Sequence, residues 1–339
     1  MIDESRRIML RRLVFIVGGL LVLWLVLELG ARKNFGLPQY LQLTLDGLRG
    51  GAIYGLVALG FVVIYNVTDI VNFAQGAFAM LGAMTAVGVT NLEGLATMGP
   101  GWRLLIAVLA GVVVATMAGV VVERVAVRPA RDAGQLTLII ITLGAYIVLQ
   151  GLAFIVWGGG QFTMPTFTTL QARDKVFRVG GAIVQAQSLW IWGTLAVVAI
   201  VLYVLFSRTM TGRALRASAT NKVAARLMGI NPSRMSLIAF TMSAAITGLG
   251  GTVLGPATRP TFDMGLIIGV KGFVAAIVGG LVHPVGAVLG GLMLGVIENI
   301  GAGITKAGLK DIFAFVILIL ILLFRPHGIL SRRQRVEKV

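Results

Sequence analysis

The chain contains no cysteine, only two histidines, and 13 acidic residues against 29 basic ones in 339 positions. Without cysteine there is no disulfide framework and no thiolate chemistry. His283 and His327 each adjoin a proline, and no His/Asp/Glu group has the spacing of metal ligands, so no metal site is expected. No G-x-S-x-G nucleophile turn occurs, and no catalytic constellation replaces it. The G-x-x-x-x-G-K-[ST] phosphate loop is also missing, so ATP that drives this protein has to be held by another subunit. The arginines are not evenly spaced along any one apolar run, which argues against a voltage sensor. No catalytic residue and no cofactor is expected.

Charge of either sign is scarce, at 12% of residues, while 57% are hydrophobic. A soluble domain of this size could not hide so much apolar surface, and a membrane span needs roughly 20 apolar residues. The sequence therefore reads as an all-α polytopic membrane protein; a β-barrel would show short alternating strands. We place spans at 13–29, 47–65, 73–90, 104–122, 136–157, 189–206, 236–256, 266–282, 285–304 and 311–325, about ten in all. The 45 glycines suit close helix–helix packing in lipid. The net charge of +16 resides at the N-terminus, in one central segment and at the C-terminus, a distribution that fits membrane topology and anionic lipid rather than nucleic acid. Arg6, Arg7, Arg11 and Arg12 precede the first apolar run with no convincing cleavage site after it, so it reads as a retained helix. Arg124, Arg128 and Arg131 follow the fourth span, and Arg325, Arg332, Arg333, Arg335 and Lys338 follow the tenth. By the positive-inside rule both termini are cytoplasmic.

Segment 207–235 organises the rest. Arg208, Arg213, Arg216, Lys222, Arg226 and Arg234 lie in it with no acid among them. Residues 214–228 contain good helix formers and neither Pro nor Gly. Gly229 then stands where a left-handed residue ends a helix, and Asn231-Pro232 begins the next. The predicted element is one cytoplasmic helix with the apolar stripe Leu215, Ala219, Val223 and Leu227. It fits either a helix held against lipid headgroups or a docking helix for a soluble ATPase.

Polar residues also interrupt the apolar runs. Asn66, Asp69 and Asn72 fall between the second and third spans and Gln75 at the start of the third, where a broken or re-entrant helix could hold polar substrate groups and a plain turn would use them as caps. Pro256, Pro260 and Asp263 break the chain similarly later on. Glu298-Asn299 lies within an apolar run, and lipid exposure of Glu298 would cost roughly 2.5–3.5 kcal/mol or more, so it should face the interior or a cavity. On the outer side, residues 176–184 carry a Gly180-Gly181 turn and read as a small hairpin.

Four stretches together carry a resemblance. They are Tyr54-Gly55-Leu56-Val57-Ala58-Leu59-Gly60 with Val71-Asn72-Phe73-Ala74; Glu123-Arg124-Val125-Ala126-Val127-Arg128-Pro129; Gly212-Arg213-Ala214-Leu215-Arg216-Ala217 with Leu227-Met228-Gly229-Ile230-Asn231; and Gly295-Val296-Ile297-Glu298 with Lys310-Asp311 and Leu323-Phe324-Arg325-Pro326. In this order they resemble the permease subunits of branched-chain amino-acid ABC importers. The resemblance implies a bacterial inner-membrane permease domain over 37–330, an additional N-terminal membrane helix over 1–36 and a basic cytoplasmic tail over 331–339. It implies three kinds of partner, namely a second homologous permease, two ATPase subunits and an extracytoplasmic substrate-binding protein; anionic lipid is the further partner expected from the charge distribution. The family's coupling segment maps onto residues 212–231, with Gly212, Arg213, Leu215, Arg216, Ala219, Leu227 and Gly229 as contacts to the ATPase. Asn66, Asp69, Asn72, Gln75, Glu298 and Asn299 are the expected translocation-pathway residues. Gln75 and Ala77 stand where family members often carry His and Glu, which leaves urea, short amides and aromatic acids open beside branched-chain amino acids. A stand-alone channel or carrier is the rival reading, and it has no use for a docking helix.

Overall fold

The computed structural model describes residues 24, 27–95, 97–131, 133–168, 176–325 and 328–329. Most of the predicted first span and the whole basic tail lie outside them. Helix α1 (Leu37–Thr68) is followed by α2 (Gln75–Thr90), α3 (Pro100–Val121), α4 (Gln135–Trp157), a hairpin of β1 (Val176–Val179) and β2 (Ala182–Gln185), and α5 (Ala186–Arg208). Two short helices, α6 (Met210–Thr220) and α7 (Lys222–Leu227), precede α8 (Pro232–Leu254), α9 (Met264–Gly279), α10 (Pro284–Ile304) and α11 (Lys310–Phe324).

The all-α reading holds, but the count of ten spans does not emerge in full. Among the described residues seven segments are long and apolar enough to cross a membrane: α1, α3 with the π-helical turn Val122–Val127, α4, α5, α8 with its 3-10 extension, α10, and Ala307–Phe324 around α11. The predicted third and eighth spans are α2 and α9, of 16 residues each. At 1.5 Å per residue each is about 24 Å long, short of a hydrocarbon core of roughly 30 Å. Their starts explain the shortness. The chain leaves α1 through Asp69, at φ +60°, and runs non-helically to Ala74 before α2 begins. A link containing Pro260 similarly delays α9, and Gly280 at φ +92° ends it.

Helix α1 is the axis of the bundle. Of its membrane window 83% is buried, against 17% for α4 and 6% for the segment of α11. It reaches this position by packing backbone to backbone on α10: a Cβ on Gly51 would sit 2.6 Å from the Gly291 carbonyl oxygen, and one on Gly47 would sit 2.6 Å from Val296 Cα. A second seam joins α2, α8 and α3, where a Cβ on Gly82 would approach Gly248 Cα to 2.8 Å. In lipid there is no hydrophobic gain between helices, so such close van der Waals contact is what holds them together.

The bundle has two distinguishable ends. At the hairpin end, Val176 pairs with Gln185 and Val179 with Ala182 across a turn whose Gly180 and Gly181 both have positive φ, as a two-residue turn of this hand demands. Gln42 of α1 ties the hairpin down, its Oε1 accepting from the Ile183 amide at 2.6 Å and its Nε2 donating to the Ile183 carbonyl at 3.1 Å. At the opposite, basic end, Lys222 pairs with Asp69 at 3.5 Å and Arg131 donates to Ser233 Oγ at 3.3 Å.

The two short helices meet inside the bundle. Gln75, the first residue of α2, donates to Thr247 Oγ1 of α8, while Ser243 donates to the Gly60 carbonyl at 2.8 Å. Gly60 lies eight residues, about 12 Å, before the end of α1, so α2 starts at depth. Gly76 lies directly against Gly265 and Gly269 of α9, so the first turns of both short helices touch.

Candidate functional site

A cavity of about 490 Å3 lies toward the hairpin end between α1, α9 and α10. Asp46, Arg49, Arg259, Asp263 and Lys310 supply both signs of charge to its wall, and Asn299 adds a neutral amide. Tyr54 and Lys310 also belong to a partly buried charge cluster beside it. The centre of that cluster is Lys271 of α9. Its ammonium donates to the Glu298 carboxylate of α10, to Asp311 Oδ1 of α11 at 2.6 Å and to the Tyr54 hydroxyl of α1 at 3.4 Å. The Lys310 ammonium stands 3.9 Å from Glu298. Lys271 and Glu298 are both buried, and Glu298 Oε2 has no hydrogen-bond partner among the described residues. Two cations and two carboxylates from three helices thus form a neutral group. A buried ion pair tolerates its desolvation only when geometry and further hydrogen bonds compensate it.

The expected pathway residues separate into two groups. Asn299 lines the cavity, its Nδ2 donating to the Gly295 carbonyl at 3.0 Å, and Glu298 faces the interior beside it. The other four lie away from the cavity. Asn66 donates to the Val282 carbonyl at 3.0 Å, joining α1 to the α9–α10 turn. Asp69 is exposed and pairs with Lys222. Asn72 accepts from the Ala74 amide at 3.1 Å, the local turn geometry of a short polar side chain. Gln75 is fully enclosed: it accepts from Ser243 Oγ at 2.9 Å and donates to Thr247, with Gly60 leaving the room it needs.

Lys271, Tyr54 and the pair Lys310-Asp311 were not singled out as site residues from the sequence. The signal for Lys271 was present, since it is a lone cation inside an otherwise apolar run and such residues are rarely lipid-facing. Its partners are 27 and 40 residues further along the chain, and no local pattern links them.

The basic segment differs from the single helix expected of it. The chain breaks at Asn221, whose Oδ1 accepts from the amides of Val223 at 2.9 Å and Ala224 at 3.0 Å and so starts α7. The stripe of four apolar residues is therefore split. Leu215 is wholly buried in the core cluster that also holds Val67, Leu202 and Ala239, and Ala219 is half-buried. Leu227 is 84% exposed and Met228 82% exposed, with Met210 and Val223 exposed as well. Leu215 thus packs inward, and the exposed apolar side chains of the segment are Met210 on α6 and Val223, Leu227 and Met228 on and just after α7. Arg213 and Arg216 of α6 are exposed as well. Gly212 is a close-approach glycine, since a Cβ there would lie 2.7 Å from Phe206 Cα where α6 turns back on α5. Gly229 has φ +78°, the left-handed geometry expected of it, and Asn231 caps α8 by accepting from Ser233 and Arg234.

Residues 43–322 match the family model described as branched-chain amino acid transport system / permease component. The chain is 34% identical over 305 residues to the high-affinity branched-chain amino acid transport system permease protein BraD of Pseudomonas aeruginosa, covering 89% of this chain and 98% of that one. It is 33% identical over 307 residues to the permease protein LivH of Escherichia coli, covering 88% and 98%. A more distant relative, the ribose import permease protein RbsC of Escherichia coli, is 21% identical over 283 residues, covering 81% and 82%.

Proposed function

Because the chain belongs to the family of branched-chain amino acid transport permease components, we propose that it is the membrane-spanning subunit of an ATP-driven importer of branched-chain or chemically related amino acids. The observation that carries this reading is the pairing of a polar cavity at one end with an exposed apolar and basic docking face at the other. An extracytoplasmic binding protein delivers substrate at the hairpin end. The two carboxylates and several cations around the cavity, with Asn299, offer hydrogen-bonding groups of both signs to a zwitterion, whose desolvation in an apolar pore would otherwise cost several kcal/mol. Two ATPase subunits dock at the basic end, and a second homologous permease completes the pathway. In this assignment the hairpin end is extracytoplasmic and the basic end cytoplasmic.

The docking contacts are Met210, Val223, Leu227 and Met228, flanked by Arg213 and Arg216. Leu215 and Gly212 transmit their displacement, because Leu215 is seated in the core and Gly212 holds α6 against α5. The ATPase has to contact this face differently in its two nucleotide states, since only a differential interaction shifts a conformational equilibrium.

The test is reconstitution with the partner subunits and uptake of labelled leucine, with urea and phenylalanine as competitors. Leu227→Asp with Met228→Asp should leave the chain folded yet abolish recovery of the ATPase and ATP-dependent uptake. Uptake by the purified chain alone, without ATP, would end the importer reading. ATP-dependent uptake of labelled urea with no uptake of labelled leucine would end the amino-acid assignment.

A further inference from the structure

Gly47, Gly50 and Gly51 stand close together on α1, and packing explains two of them. Gly47 and Gly51 are buried against the α10 backbone. Gly50 is half-buried, and among the described residues a Cβ on it would meet only Asn299 Nδ2, at 3.8 Å. A glycine inside a helix is less favourable than alanine, because it loses more backbone freedom on folding. At Gly50 no close helix contact offsets that cost. What lies beside it is the cavity of about 490 Å3.

The cavity is graded along its depth. Asp46, Arg49, Gly50 and Ile53 fall at i, i+3, i+4 and i+7, so one face of α1 lines it. Arg49 donates to Gln185 of the hairpin at 2.8 Å and pairs with Asp46 at 3.8 Å, which fixes the charged level at the mouth. Ile53 is four to seven residues deeper, about 6–10 Å along the helix. There it joins Leu254, Met264 and Ile268 in one apolar cluster, and all four line the cavity. Gly50 separates the two levels. A wall with both signs of charge at one level and aliphatic groups at the next matches a small ligand divided in the same way. A zwitterion with an aliphatic side chain is such a ligand. Urea and the simplest amides have no apolar part to place against Ile53 and Leu254.

On the importer reading above, on which this rests, we propose that the cavity binds an aliphatic amino acid in a fixed orientation. Its ammonium and carboxylate lie at the level of Asp46 and Arg49, and its side chain lies on Ile53, Leu254, Met264 and Ile268. Gly50 is the aperture between the two levels, and its missing side chain sets the bulk that can enter. Each CH2 group buried in the apolar level contributes about a four-fold gain in affinity.

The experiment exploits the absence of cysteine from this chain. Gly50→Cys introduces a single thiol, and Gly94→Cys, in the exposed connection between α2 and α3, is the control. Each variant is assembled with its partner subunits in nanodiscs and treated with a small water-soluble methanethiosulfonate, with and without a non-hydrolysable ATP analogue. Peptide mass spectrometry reads the modified site. Leucine should slow modification at position 50 and leave position 94 unaffected. Glycine, which has the zwitterion but no side chain, should need at least about ten-fold higher concentrations to protect, and urea should not protect. Gly50→Val should keep the melting temperature and recovery of the ATPase seen for the wild type and lose leucine uptake. Equal modification of position 50 with and without leucine, in both nucleotide conditions and in a complex that imports leucine, would overturn the site and leave the importer reading intact. Protection by glycine at the same concentrations as leucine would overturn the apolar level. Leucine uptake by Gly50→Val at the wild-type rate would overturn the aperture. A wild-type complex that imports no amino acid would remove the importer reading and this site with it.

Discussion

Replacing Lys271 by methionine keeps the aliphatic stem but removes the cation around which Glu298 and Asp311 are arranged. The two carboxylates left behind are not equivalent. Asp311 has a side chain 54% exposed, so water can take over its charge and its loss of a partner costs less than about 1 kcal/mol. Glu298 is fully buried, and its Oε2 has no hydrogen bond among the described residues. Breaking a buried pair by removing one partner costs roughly 3–5 kcal/mol. Lys310, 39% exposed and 3.9 Å from Glu298, can supply part of the missing charge, so we expect the lower end, about 3 kcal/mol. The double variant Lys271→Met/Glu298→Gln leaves no uncompensated buried charge and should lose no more than about 1 kcal/mol. A double-mutant cycle by reversible denaturant titration in mixed micelles should thus give a coupling of at least about 2 kcal/mol between the two positions, larger by whatever Glu298→Gln alone costs. Additive single effects, or a Lys271→Met variant within about 0.5 kcal/mol of wild type, would refute the argument that this ion pair holds α9 to α10.

Three further outcomes are expected. Gly51→Ala should destabilise the chain by about 1–3 kcal/mol through overpacking on the Gly291 carbonyl, whereas Gly151→Ala, with nothing near its added methyl, should be neutral or slightly stabilising; thermal melts of the two variants side by side check this. Gln75→Leu removes the bonds to Ser243 and Thr247 and should cost about 1–2 kcal/mol while leaving the KM for uptake unchanged; a ten-fold rise in KM at intact stability would put Gln75 in the substrate pathway instead. Asn221→Ala removes the cap of α7 and should cost about 1 kcal/mol, seen as faster amide hydrogen exchange confined to residues 222–227, with Asn221→Asp restoring most of the protection.

Much of the architecture was legible in the order of residues. Lipid demands long apolar helices, so the runs at 104–122, 136–157, 189–206 and 285–304 announce α3, α4, α5 and α10 almost without reference to neighbours. Local stereochemistry is equally direct: Gly180-Gly181 makes the hairpin turn, Gly229 ends α7, and Asn231-Pro232 opens α8. Depth and facing were not legible, because they depend on contacts between distant segments. Both predicted runs at 73–90 and 266–282 are apolar enough to span, yet α2 and α9 begin inside the bundle because Gly76 and Gly265 let their first turns touch. A four-residue spacing placed Leu215 and Leu227 on one stripe; the break at Asn221 put Leu215 in the core and Leu227 in the open. Lys271 and Glu298 meet across 27 residues of chain. A sequence records which residues dislike lipid, but a buried charge becomes tolerable only when a partner on another helix is brought within bonding distance, and that is decided by packing.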